Sequence, residues 1–195
     1  CRADPDDPYT VYCEMQGGRI WRVNMKTGAR FTLRPPGKDL KFNWKTPFLL
    51  SHHNSRIFFS AGNYVFRSLN RGADLQPISP KLGLTDRGTA TALAESPRRS
   101  GVLWAGTDDG ALWLTRDGGR EWVNLIEKVG LPKPFHVACI EPSRFAEGRA
   151  YVAFDGHRSN NDAPHIFMTE DFGMTWTSLV ANLPAGSTRC LREDV

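Results

Sequence analysis

One eight-residue pattern occurs twice in this chain, each time directly after an alternating apolar run. The copies are Thr115-Arg116-Asp117-Gly118-Gly119-Arg120-Glu121-Trp122 and Thr169-Glu170-Asp171-Phe172-Gly173-Met174-Thr175-Trp176, and both read Ser/Thr-x-Asp-x-Gly-x-x-Trp. A third copy, Ser68-Leu69-Asn70-Arg71-Gly72-Ala73-Asp74-Leu75, has Asn for the Asp and Leu for the Trp. The copies begin at 68, 115 and 169, so they recur at intervals of 47 and 54 residues. Self-similarity at such a period means small supersecondary units stacked on one another, each too small to bury its apolar face alone.

Every unit reads as four short strands, because β-branched and aromatic runs are punctuated by Gly, Asp and Pro. The unit around Asp117 has strands expected at 91–95, 102–106, 111–114 and 122–125, with Asp108-Asp109-Gly110 as a tight hairpin. The next repeats this at 137–141, 150–154, 165–168 and 176–179, and the preceding one at 47–50, 57–60, 64–67 and 76–78. The first is partial, with outer strands at 11–14, 19–23 and 30–33 and only residues 1–5 for its inner strand. Residues 187–193 read as one more inner strand. The expected fold is all-β: a β-propeller arc of about four four-stranded antiparallel blades. The blades fall at about 1–35, 42–79, 89–126 and 135–181, with the start of a fifth at about 187–195. Propellers close into rings to protect their edges, so this arc is expected to be a fragment of a larger propeller whose remaining blades complete it.

The repeated motif falls at the hairpin between third and fourth strands. Gly119 and Gly173 suit positive φ there. Asp117 and Asp171 are placed to accept hydrogen bonds from turn amides, with Thr115 and Thr169 adding weaker bonds. Trp122 and Trp176 open the outer strand and are expected to pack on the neighbouring hairpin. An active site is used once and a structural device once per blade, so repetition makes these eight residues structural.

Several function classes are excluded by composition. Net charge is +4, yet Lys and Arg are scattered, and the tightest cluster, Arg98-Arg99, lies in a turn. No nucleic-acid partner is expected without a concentrated basic stripe. No run approaches the roughly 18 apolar residues of a membrane span. The four cysteines (Cys1, Cys13, Cys139 and Cys190) lack metal-ligand spacing, and the last three fall in expected strands. His52-His53 reads as a turn pair, so neither a metal nor a cofactor is expected. Disulfide pairing is left open.

At its motif residues the chain resembles the Asp-box, or BNR-repeat, propellers, which include sialidases, xyloglucanase-type glycoside hydrolases and the sortilin luminal domain. It is most similar to bacterial sortilin-like and xyloglucanase-like repeat proteins. The similarity is carried further by Phe42-Asn43-Trp44-Lys45-Thr46-Pro47, by the run from Leu103 to Gly110, and by the run from Ala150 to Arg158. The resemblance implies a secreted, periplasmic or extracellular protein. Departures accompany it: the first blade has only Val23-Asn24-Met25-Lys26-Thr27-Gly28 in place of the motif, and the second lacks its Asp and Trp. The arginine triad and Tyr/Glu pair of sialidases map onto no motif here. The same holds for the aspartates that xyloglucanase-like relatives contribute from two propeller lobes.

In a propeller, loops between second and third strands share a face with the blade connections. Here those loops are 15–18, 62–63, 107–110 and 155–164, and the connections are 34–44, 80–88 and 126–134. The loop 155–164 is far longer than its counterparts, and long loops on rigid scaffolds tend to carry function. Candidate binding residues on this face are Trp44, Asp108, Asp109, Asp155, His157, Arg158 and Asp162, with the segment 38–41 on the same rim. Two functions compete. One is a non-catalytic scaffold that binds a protein, peptide or carbohydrate. The other is glycoside hydrolysis, with Asp108 or Asp109 acting beside Asp155 at the carboxylate spacings such chemistry needs, about 5–5.5 or 6.5–9.5 Å.

Overall fold

The computed structural model describes residues 1–194; Val195, the last residue of the expected fifth-blade segment, lies outside the described residues. Four antiparallel sheets follow one another, each built from four consecutive strands paired in chain order. The first holds β1 (Arg2–Ala3), β2 (Thr10–Met15), β3 (Arg19–Asn24) and β4 (Arg30–Leu33). The second holds β5 (Phe48–Leu50), β6 (Phe58–Ala61), β7 (Val65–Ser68) and β8 (Gln76–Pro77). The third holds β9 (Ala90–Glu95), β10 (Leu103–Thr107), β11 (Leu112–Thr115) and β12 (Val123–Asn124). The fourth holds β13 (His136–Pro142), β14 (Ala150–Asp155), β15 (His165–Thr169) and β16 (Thr177–Ser178). The chain is an arc of β-propeller blades.

The sheets stack face to face, and three apolar seams join them. Tyr12, Ile20 and Leu33 of the first blade meet Phe58, Phe66 and Leu75 of the second. Ala61, Val65 and Leu82 meet Ala90 and Ala105 of the third, extended by Leu49 and Phe59 against Leu103. Trp104, Leu112 and Leu114 meet Val137, Ile140, Val152 and Phe154 of the fourth. Side chains alternate across a strand, so in β10 Leu103 and Ala105 face the second blade while Trp104 faces the fourth. Every residue of β10 is accordingly buried. In β3 only Ile20 is.

Three of the four third-to-fourth-strand hairpins are clasped by a hydroxyl and a carboxylate; in the first blade the Asn24 side-chain oxygen accepts the Lys26 and Thr27 amides instead. Thr115 Oγ1 donates to Asp117 Oδ1 at 2.8 Å and accepts the Gly119 N–H at 3.0 Å. Asp117 Oδ1 also accepts from the amides of Arg120 and Glu121. Thr169, Asp171 and Gly173 repeat this, and Thr175 donates both its amide and its hydroxyl to Asp171. The threonines are buried at 1% exposure. The aspartates are not, so the hydroxyl rather than the carboxylate is the enclosed member, the reverse of the expected weighting. Donors converging on one carboxylate favour its charged form: the Glu121 amide and Thr115 hydroxyl lower the Asp117 carboxyl, and the bonds from Thr175 take Asp171 down to about 2.

The second blade keeps the clasp although its motif lacks the aspartate. Ser68 Oγ accepts the Gly72 N–H at 2.8 Å and donates to Asp74, whose Oδ1 also accepts from the Leu69 and Asn70 amides. The carboxylate is supplied from four residues past Asn70. The backbone matches as well: the pairs Arg71-Gly72, Gly118-Gly119 and Phe172-Gly173 all have positive φ. Glycine is required at the second member. A Cβ on Gly119 would stand 2.6 Å from the Ile78 carbonyl, and one on Gly173 2.4 Å from Leu125. Trp122 packs on the preceding blade and donates its indole N–H to Ile78 O at 2.7 Å. Trp176 meets Trp104 of the preceding blade edge-on at 6.3 Å and bonds its own Gly173 carbonyl.

Residues 187–193 form no strand, and Cys190 therefore lies outside one, contrary to expectation. An inner strand pairs with the second strand of its own blade, and no such strand follows here among the described residues. Side chains nevertheless hold the segment against β13. Glu193 accepts from Ser143 Oγ and the Arg144 amide, both at 2.7 Å, and Arg192 pairs with Glu141 at 3.0 Å. The third blade shows the same device, with Glu95 accepting the His52 amide at the turn after β5. A second difference lies in the connection 126–134, which contains a helical turn, α1 (Ile126–Val129), ended by Gly130 at φ 81°. All four cysteines are free thiols, with Sγ of Cys1, just before β1, 3.1 Å from Sγ of Cys13 in β2.

Candidate functional site

Two opposite faces of the arc are distinguished by their hydrogen bonds. On one, the clasped hairpins meet the turns after the inner strands, through Arg71 N to Arg56 O, Gly118 N to Gly101 O, and Phe172 N to Gly148 O. On the other, second-to-third-strand loops meet blade connections. The Gly17 amide donates to Trp44 O, and Gly18 N to Thr46 Oγ1. Asn63 Oδ1 accepts the Lys41 amide, while its Nδ2 donates to Asp39 O.

The candidate carboxylates of this second face are occupied by protein donors. Asp108 accepts the Thr89 amide at 2.8 Å, the Thr89 hydroxyl and Asn43 Nδ2 at 3.0 Å. Asp109 accepts the Thr107 hydroxyl at 2.6 Å and both the amide and hydroxyl of Thr85. Burial raises the Asp109 carboxyl, but these three donors outweigh it and leave the group below its ordinary value. Asp155 is likewise pushed up by burial. The Ser187 hydroxyl, the His157 amide and Arg189 more than offset this and hold it low.

Within the long loop, His157 Nδ1 and Asp162 Oδ1 lie 2.6 Å apart and bind each other. His157–Ser159 forms a 3-10 turn, closed by Asn160 in the left-handed region at φ 54°. Asn161 Oδ1 lies 3.1 Å from His165 Nε2, whose ring stacks on Phe135 at 4.8 Å. The loop is held largely by its own side chains.

Three of the sequence-derived residues, Trp44, Asp155 and Arg158, come together in the wall of a cavity of about 880 Å³ between the inner segments. Every inner segment contributes to its wall: Arg2 from β1, Phe48 from β5, Thr91 from β9, His136 from β13, and Arg189 from the last segment. Asp108, Asp109, His157 and Asp162 lie outside this wall. Trp44 is 72% exposed, so its indole is a free apolar platform. Lys45 stands beside it. The His136 imidazole is pushed below its usual range by burial, against the pull of Asp155. Among the described residues no group of three or more His, Cys, Asp or Glu is placed to hold a metal ion. Among the described residues no helix is long and apolar enough to cross a membrane.

Sequence reasoning missed the cations Arg2, Lys45, Arg189 and Arg192 in the cavity wall. The only signal was their place at or beside inner-strand positions, and scattered Lys and Arg residues carry no motif. Lys45 was the most accessible of them, since it follows Trp44 directly.

No family model matches the sequence, and no curated protein does. Solved structures do match, among them β-propeller proteins. A GH74 xyloglucanase from Xanthomonas campestris aligns with 93% of this chain and 30% of its own, at 14% identity and TM-score 0.66. A YCF48 protein bound to a D1 peptide aligns with 90% of this chain and 52% of its own, at 12% identity and TM-score 0.57. An auxiliary nutrient binding protein from Bacteroides thetaiotaomicron aligns with 91% of this chain and 40% of its own, at 11% identity and TM-score 0.58. The chain spans 30 to 52% of these neighbours' lengths, and identities this low establish the fold they share and nothing finer.

Proposed function

We propose that this chain is part of a non-catalytic Asp-box propeller scaffold that holds a protein, peptide or carbohydrate on the face bearing the second-to-third-strand loops and blade connections. The observation that carries the proposal is the saturation of Asp108, Asp109 and Asp155 by protein donors. A general acid must keep its proton near neutral pH, whereas Asp109 and Asp155 are held below the ordinary carboxylate range. Trp44 and Arg158 supply an apolar platform and a cation in the cavity wall, where Asp155 pairs with Arg189. The recurring hydroxyl–carboxylate clasp supports the Asp-box assignment and a structural role for Thr115, Asp117, Gly119, Trp122 and their counterparts Thr169, Asp171, Gly173 and Trp176. Two neighbours are binders by name, the YCF48–peptide complex and the nutrient binding protein. A secreted or periplasmic location, and blades divided near 35–42, 79–89, 126–135 and 181–187, belong to the same proposal.

Glycoside hydrolysis is the second reading, favoured by the GH74 neighbours. Incubating the protein with xyloglucan and other polysaccharides and measuring new reducing ends separates the two. No turnover is expected from wild type. Turnover that disappears in Asp155→Asn would refute the scaffold proposal.

A further inference from the structure

The central cavity has a chemical bias that narrows the class of ligand, granted that this face binds rather than hydrolyses. Its wall carries five cations, Arg2, Lys45, Arg158, Arg189 and Arg192, against two carboxylates, Glu14 and Asp155. Arg189 is paired with Asp155 and Arg192 with Glu141, both at 3.0 Å. Arg2, Lys45 and Arg158 have no side-chain ion pair or hydrogen bond among the described residues. Three unpaired cations around one concave space raise its affinity for anions, most strongly at low salt.

Apart from the His136 imidazole, the hydroxyl and amide N–H groups of the wall's neutral polar side chains Asn43, Thr46 and Thr91 are already used. Asn43 Nδ2 donates to Thr89 and Asp108, Thr46 Oγ1 binds the Gly18 amide and the Asn43 carbonyl, and Thr91 Oγ1 donates to Val137 O. A sugar entering here would lose water from its hydroxyls and find few replacement partners, a costly exchange. What remains open is charge and apolar surface: the cations, the exposed Trp44, and the half-buried Pro47 and Phe48. Carboxylates on short apolar stems match that combination, and Arg binds carboxylates strongly. The volume of about 880 Å³ lies within the range of preformed ligand sites.

We infer that the cavity takes an acidic peptide segment, with Asp or Glu side chains on Arg2, Lys45 and Arg158 and an adjoining apolar side chain on Trp44. The test uses a dye-labelled, acetylated and amidated peptide of alternating Asp and Glu flanked by Leu, with a matched Asn/Gln peptide and an oligogalacturonate of equal charge as comparisons. Fluorescence anisotropy should show the acidic peptide binding and weakening at least tenfold between 50 and 300 mM salt, on the order expected for several screened charge contacts. Lys45→Glu with Arg158→Glu, both at exposed positions, should abolish binding while leaving the melting temperature in place. Trp44→Ala should weaken it.

Equal binding of the neutral peptide, undiminished binding by the double variant, or no binding of the acidic peptide at all would overturn the inference. Binding of oligogalacturonate without the peptide would also overturn it, while leaving a ligand-holding loop face intact. Release of reducing ends in the same assay would instead strike the scaffold proposal on which the inference rests.

Discussion

Replacing Thr169 by Val removes the enclosed end of a hairpin clasp without changing its shape. The Thr169 side chain is 1% exposed, and its hydroxyl accepts the buried Gly173 N–H at 2.8 Å while donating to Asp171 Oδ1 at the same distance. Valine fills the space and offers no acceptor. Asp171 keeps both bonds from Thr175, so the main loss is at Gly173, whose N–H is left buried and unpaired. Such a group costs about 1–3 kcal/mol. With about 2 kcal/mol, and roughly 2–4 °C per kcal/mol for a chain of this length, the melting temperature should fall by about 4–8 °C. The internal control is Thr169→Ser. Serine already performs this task in the second blade at Ser68, and only one methyl group, about 0.8 kcal/mol, is removed. Calorimetry at pH 7 on the three proteins is sufficient. A valine variant melting within about 1 °C of wild type, or a serine variant falling as far as valine, would refute the claim that the hydroxyl holds the hairpin.

Four further outcomes are expected. The Asp171 carboxyl is depressed to about 2, so its contribution to stability is complete above the ordinary value of 3.8 and is lost as pH falls towards 2; urea midpoints of wild type and Asp171→Asn should differ at pH 6 and converge near pH 2. Trp122→Phe removes the donor to Ile78 O and should lower stability by about 1 kcal/mol or somewhat more, since an acceptor is also left unmatched, as measured by urea unfolding. Gly106→Ala would place a Cβ 2.2 Å from Val137 Cγ1, in the seam between the third and fourth blades. It should cost about 1–3 kcal/mol by overpacking, and adding Val137→Ala should recover part of this in a thermal melt. Arg71→Met strips the partner from the buried Asp4 carboxylate, and unfolding should show a loss approaching the roughly 3–5 kcal/mol of a broken enclosed pair, reduced because Arg71 is itself partly in water.

The blade architecture was legible because it is written in local chemistry. A Thr, an Asp and a Gly at fixed spacing make a hairpin whatever lies far away, and an unbroken apolar run such as 102–106 marks a strand covered on both sides. The second blade shows the limit of that reading. Asn70 stands at the expected carboxylate position, yet Asp74 does the work, because a side chain reaching back from the far side of the turn satisfies the same amides. Strand status at 187–193 was illegible for a different reason. Whether such a segment becomes a strand depends on a ladder partner, and no pattern within the segment reports one. The cavity was least legible of all. Arg2, Lys45, Arg158, Arg189 and Arg192 are far apart in sequence, and only the convergence of inner segments on a common axis brings them to one wall. The carboxylates that drew attention as acid–base candidates owe their position to the opposite need, since Asp108 and Asp109 tie connections to loops and are consumed in doing so.

The latch formed by Glu95 on the turn after β5, repeated by Glu193 on the turn after β13, gives the arc a direction. The second and fourth sheets are each fastened by a residue that lies 43 or 49 positions further along the chain. A nascent polypeptide emerging from its N-terminus would therefore complete a sheet's own ladder well before the bolt that secures it arrives. For these two sheets assembly becomes a relay in which each stands ajar until the next innermost segment has been made, and disassembly would begin most readily wherever that bolt is withdrawn.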